Sequence, residues 1–176
     1  MNLARFIYLF VITLMVSSAT AHTPEQPDTT SEQATKLPAM TQTEMKRIIS
    51  EIAEDVKGDT DNITFYYNNA NLALLSNQAA NRMRIVAPVV SAKDLNEQQI
   101  LATLLANYHL ALDARYAIGD GVLYAVFIHP LKELTEEQLV SAVRQVATLR
   151  NTFGTSYTSG ELSFGVQQSQ EEQIDL

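Results

Sequence analysis

The chain has no cysteine. That excludes disulfides, thiolate nucleophiles and cysteine-ligated zinc. Histidine is scarce: the three are His22, His109 and His129. Their flanks contain neither an HExxH motif nor a two-histidine, one-carboxylate spacing. Basic residues are also few, with 12 Lys and Arg against 20 Asp and Glu, for a net charge of −8. An acidic surface repels phosphate, which argues against nucleic acid and anionic lipid as partners. No glycine-rich loop leads into a helix, so no phosphate cradle is visible. The serines occur without a G-x-S-x-G elbow. The acidic pairs Glu136-Glu137 and Glu171-Glu172 fall at a helix start and in a polar tail. Catalytic carboxylates converge from separate elements instead. The apolar run Phe6 to Val16, broken only by Thr13, is too short to span a bilayer.

What is present begins with that run. Arg5 and the amino terminus precede it, and Ser17-Ser18-Ala19-Thr20-Ala21 follows it. A positive start, a short apolar core and a small-residue Ala-x-Ala site make residues 1–21 a secretory signal peptide, cleaved after Ala21. The expected location is periplasmic or secreted, with no stable membrane anchor after cleavage. The absence of cysteine at the cleavage point excludes a bacterial lipid anchor. Residues 22–40, rich in Thr, Pro, Gln and Glu, read as a flexible linker. A single α+β domain is expected over residues 41–154, and an acidic tail over 155–176.

The domain opens on Thr41-x-x-Glu44, a capping box, with Met40 and Met45 as its hydrophobic staple. Met45, Ile48, Ile49, Ile52 and Val56 form one helical stripe, and Gly58 is placed to end that helix. The period then changes to that of strands. Ile63 to Tyr67 is β-branched and aromatic, Leu72 to Leu75 is a second apolar run, and Met83, Ile85 and Ala87 alternate with Arg82, Arg84 and Val86. Pro88 is expected to close the third strand or to sit at an edge. Three strands this close in sequence make an antiparallel meander. Alternation directs Phe65 and Tyr67 to the core face and Tyr66 to the other.

Asp94-x-x-Glu97 is the expected cap of a second helix. Its apolar stripe is Ile100, Leu101, Leu104, Leu105 and Tyr108, widened by Ala102, Ala106, Leu110 and Ala111. So wide a stripe predicts a helix covered on more than one side, the second cover being the rest of the domain or a second subunit. A hairpin follows from Ala114 to His129, turning at Gly119-Asp120-Gly121, where glycines supply positive φ. Its second strand, Val122 to Ile128, is apolar on both faces and reads as central. Thr135-x-x-Gln138 caps a third helix, with Leu134 and Leu139 as its staple and Leu139, Val143, Val146 and Phe153 on its buried face; Gly154 ends it. In the tail, Leu162, Phe164 and Val166 have the spacing of one further short strand.

This order, α-β-β-β-α-β-β-α, with an antiparallel sheet packed with helices, resembles the type III secretion chaperone-like fold, and within it the YbjN-like branch. The residues that carry the resemblance are the hairpin from Tyr116 to Pro130, whose strand Val122-Leu-Tyr-Ala-Val-Phe-Ile128 runs straight into His129-Pro130, and Leu134-Thr-Glu-Glu-Gln-Leu139 opening the last helix. It extends over roughly residues 41–153. The resemblance implies an α+β domain, often a homodimer, that binds protein segments, with no enzymatic activity and no cofactor. The expected function is therefore an exported, non-enzymatic protein-binding module. Its partner is a protein segment or a second copy, met at Ile100, Leu101, Leu104, Leu105 and Tyr108. Two alternatives stay open: a small metal-dependent or hydrolytic enzyme using His109 and Asp113, and an envelope structural protein that binds through its acidic tail. Asp59-x-Asp61-Asn62 has the look of a calcium loop without the required glycine and distal glutamate.

Overall fold

A helix begins where Thr41 places it, with half of the expected capping box formed, since the Glu44 carboxylate binds Arg47. In the computed structural model, which describes residues 38–160, α1 spans Gln42–Ile52, and Thr41 accepts a hydrogen bond from the Glu44 N–H at 3.1 Å. Met45, Ile48 and Ile49 are buried beneath it. The leader, the linker up to residue 37 and the tail from residue 161, with Leu162, Phe164 and Val166, lie outside the described residues.

The expected stripe overshoots the helix by one element. Ala53 is extended and caps α1, and the chain continues as β1, Glu54–Gly58. Val56 still packs on the core, but from an edge strand paired with β2. Gly58 makes the corner into β2 and does not cap the helix. Its φ is +97°, and a β-carbon there would lie 2.1 Å from the Asn62 carbonyl oxygen. The α+β order thus carries one strand more than expected.

The meander follows as β2, Asn62–Tyr67, β3, Ala70–Asn77, and β4, Arg82–Ser91. Asn68 and Asn69, both at positive φ, close the first hairpin in the manner of a type I′ turn. Ile63 and Phe65, Leu72 and Leu74, and Met83, Ile85 and Ala87 are buried on one face. Pro88 does not close its strand. β4 runs on to Ser91 through a bulge. The missing N–H of Pro88 points toward β3, whose pairing with β4 has already ended at Val86, so no ladder bond is lost.

A 3₁₀ turn, Ala92–Asp94, leads to α2, Glu97–His109. Then come β5, Arg115–Gly119, β6, Val122–His129, and α3, Glu136–Asn151. The hairpin turns on Asp120 and Gly121, both at positive φ, with Gly119 still in the strand. The six strands form one antiparallel sheet in the order β1-β2-β3-β4-β6-β5, so β6 is internal, as its apolar sequence predicts. Both α1 and α3 pack on the same face. The capping box of Thr135 and Gln138 is present, and Leu139, Val143 and Val146 are fully buried. Arg47 binds Glu44 and Glu51 on α1 and Glu136 on α3, so one guanidinium links the two helices.

The domain also runs past residue 154. Tyr157 packs edge-on against Phe153 and Tyr116. Ser159 is buried, and its hydroxyl accepts from the Leu112 N–H at 2.7 Å. Residues 155–160, expected in the tail, belong to the fold.

Candidate interaction surface

Helix α2 is built to expose what a core helix buries. Its cap sits two residues past the expected Asp94. The Asn96 side chain accepts from the Gln99 N–H at 2.9 Å, and Gln99 Oε1 accepts from the Asn96 N–H at 3.0 Å. Asp94 lies in the preceding 3₁₀ turn. With this start, Thr103 and Ala106 turn inward and are buried. Asn107, beside them, binds the backbone of β5 through both ends of its amide. The face that docks α2 is thus small and polar.

The large side chains point the other way. Ile100, Leu101, Leu104, Leu105 and Tyr108 are 40%, 58%, 62%, 53% and 77% exposed. They lie three and four residues apart and form one contiguous stripe of the helix. The structure therefore brings all five expected interface residues together and leaves them uncovered among the described residues. Scattered apolar side chains on a surface are ordinary, whereas a contiguous patch of this kind marks a place for another apolar surface. Covering such side chains fully is worth about 1.5–3 kcal/mol each.

The other candidates resolve into structural roles. Asp113 is tied to Gln145: its N–H donates to Gln145 Oε1 at 2.8 Å, and its carboxylate accepts from Gln145 Nε2 at 3.3 Å. His109 ends α2 with its ring edge-on to Tyr108 at 4.7 Å. Among the described residues no group of three or more His, Asp or Glu comes together in a way that holds a metal ion. His129 donates from Nδ1 to the Pro130 carbonyl at 2.8 Å and stacks on Phe127. Asp61 lies at the β1–β2 corner, where its backbone carbonyl accepts from the Ser76 N–H at 2.8 Å. Phe65 and Tyr67 face the core and Tyr66 the opposite side, as alternation requires. His22 lies outside the described residues.

Three polar residues with structural importance have weak sequence signals. Asn107 holds backbone groups of β5, and Gln145 and Ser159 hold those of the segment between α2 and β5. The one cue is a polar residue inside an apolar helical stretch, which is informative for Asn107 and Gln145 and silent for Ser159. Among the described residues no helix is long and apolar enough to cross a membrane.

No protein-family model matches the chain. No curated protein matches it. Solved structures similar to it include the HopA1–SchA chaperone–effector complex, at 16% identity and a TM-score of 0.49, over 64% of this chain and 91% of that one. A chain of the ExsC–ExsE complex is similar at 14% identity and a TM-score of 0.48, over 65% and 96% of the two chains. The Yersinia pestis type III secretion chaperone SycH, in complex with a stable fragment of YscM2, is similar at 12% identity and a TM-score of 0.48, over 64% and 99%.

Proposed function

We propose that the chain is an exported, non-enzymatic protein-binding module of the chaperone-like kind, and that α2 is the surface through which it pairs with a second copy of itself. The observation that carries this reading is the exposed stripe of Ile100, Leu101, Leu104, Leu105 and Tyr108. A helix that docks through Thr103, Ala106 and Asn107 while leaving five large apolar side chains outside is half of an interface. Isologous pairing about a two-fold axis would bury the stripe of one copy against that of the other. The absence of a nucleophile elbow, a zinc motif or converging carboxylates in the sequence supports a binding role over a catalytic one. The signal-peptide pattern of residues 1–21 supports export.

The test is the native and denatured mass of the mature protein from its own compartment, beside variants Leu101→Asp and Leu105→Asp. The expected result is a dimer that becomes a folded monomer in either variant, with a chain beginning at His22. A wild-type monomer overturns the α2 assignment, and an intact leader overturns export.

A further inference from the structure

The sheet has a second face, and no described helix covers it. Both α1 and α3 pack on the face of Ile63, Leu74, Ile85 and Phe127, while α2 lies at the β5 end. Strand register fixes what the open face presents. One row across all six strands reads Lys57, Thr64, Ala73, Val86, Val126 and Arg115. The neighbouring row reads Asn62, Leu75, Arg84 and Ile128. The centre is aliphatic, and Ile128 is 58% exposed. Beside it, in the following register position of β4, stands Arg82.

The charge on this face runs against the rest of the chain. The protein has 20 acidic and 12 basic residues, yet the positions flanking the aliphatic centre on β3, β4 and β6 carry Arg82 and Arg84 and no carboxylate. Glu54 and Asp55 belong to the β1 side, Asp113 lies past Ile128 toward β5, and Asp61 lines the same groove as Arg82 and Arg84 without an ion pair to either. All ion pairs among the described residues involve Arg47, so neither Arg82 nor Arg84 is neutralised within them. Arg115 is occupied by backbone, its guanidinium donating to the carbonyls of Ala111, Leu112 and Ala114, and Arg82 donates once, to the Asn81 carbonyl. Arg84 stands between Leu75 and Ile128, and Leu75, Arg82, Arg84 and Ile128 line one shallow groove in which two guanidiniums outnumber a single carboxylate, that of Asp61. A guanidinium in that setting meets a carboxylate with two parallel hydrogen bonds, and aliphatic neighbours that exclude water strengthen them.

We infer that this open face binds an acidic, aliphatic protein segment, with carboxylates on Arg84 and Arg82 and apolar side chains on Leu75, Val126 and Ile128. The inference rests on the reading of the chain as a protein-binding module and adds to it a second surface, distinct from α2, with a partner of defined charge. A copy of this chain is a poor occupant, because two such faces would oppose arginine to arginine.

The experiment uses the full mature chain and three labelled synthetic peptides of one length. They share alternating Leu and Val and differ only in the intervening residues, which are Glu and Asp, Gln and Asn, or Lys. The acidic peptide should bind about tenfold or more tightly than the neutral one, as expected for one charge-assisted pair, and the lysine peptide should not bind. Arg84→Glu should abolish acidic binding and admit the lysine peptide, with the equal charge reversal Arg144→Glu, at an exposed position of α3, leaving both affinities unchanged. Four results would overturn the inference. Equal binding of all three peptides, or loss through Leu105→Asp and not Arg84→Glu, would leave the protein-binding module standing and remove this face from it. Binding of anionic phosphatidylglycerol vesicles without the acidic peptide would make the face a membrane contact. Absence of any binding would remove both the face and peptide capture.

Discussion

Asn107 holds both backbone polar groups of Tyr116. Its Oδ1 accepts from the Tyr116 N–H at 2.7 Å, and its Nδ2 donates to the Tyr116 carbonyl at 3.1 Å. Tyr116 lies on β5, the last strand of the sheet, at a register position whose backbone groups point away from β6. The amide therefore stands where the next strand would. This anchors α2 and blunts an edge that would otherwise invite pairing. Asn107→Leu keeps the volume and removes both bonds. It should destabilise the fold by about 1–3 kcal/mol in urea denaturation, with Asn107→Asp between it and the wild type. An unchanged midpoint would mean that water replaces the amide without cost.

Tyr116 also gives the fold an alkaline limit. Its hydroxyl donates to the Leu149 carbonyl at 2.7 Å. Burial pushes the phenol well above its ordinary value of 10.0, partly opposed by a hydrogen bond with Thr152. A folded pKa above the unfolded one gives a stability contribution that is complete below pH 10 and lost as pH rises through the folded value. Tyr116→Phe should cost about 1 kcal/mol at neutral pH and flatten the decline of the melting temperature above pH 10. An equally steep decline in the variant would assign the limit to another group.

Gly58 and Gly121 both have positive φ and should respond unequally to alanine. At Gly58 the new β-carbon meets the Asn62 carbonyl at 2.1 Å, whereas at Gly121 nothing lies within 4 Å. Gly121→Ala should cost about 1 kcal/mol, from backbone conformation alone. Gly58→Ala should cost roughly 3 kcal/mol or more, because backbone must also move. Equal melting temperatures for the two variants would remove the steric argument.

The two sides of α2 should separate stability from assembly. Leu105→Asp, on the exposed stripe, should change the stability of the monomer by no more than about 0.5 kcal/mol. Ala106→Asp, one residue on and buried, places a carboxylate under the helix and should prevent folding. Circular dichroism with native mass distinguishes the outcomes. Unfolding in Leu105→Asp would show that the stripe belongs to the core.

Much of this was legible where periodicity and chemistry agree. The meander, the internal strand Val122 to Ile128 and the Thr135 capping box all stand as the residues predict. The errors have physical reasons. Val56 lies at a helical interval from Ile52, but it reaches the core from β1, so a stripe alone could not tell helix from strand there. Asn96 competes with Asp94 for the cap, and Gln99 decides it by returning a bond to the Asn96 backbone. Ser159 is a small polar residue in a polar stretch, and only the fold shows that it ties the chain to Leu112. The stripe of α2 was visible as apolar spacing. Its outward direction was not, because pattern does not say whether an apolar face meets its own domain or another.

The β4–β6 pairing should form late in folding. It joins Met83 to His129 at one end and Ser91 to Val122 at the other, across the whole of α2 and β5. The β2–β3–β4 meander closes through short turns and can form early. The sheet is completed only when a long intervening segment has looped back, which is the slow, entropically costly step. The stripe on α2 stays exposed in the folded domain, so its substitutions should leave refolding rates unchanged. An exposed stripe of this kind is in this way free to vary without slowing the protein's arrival at its native state.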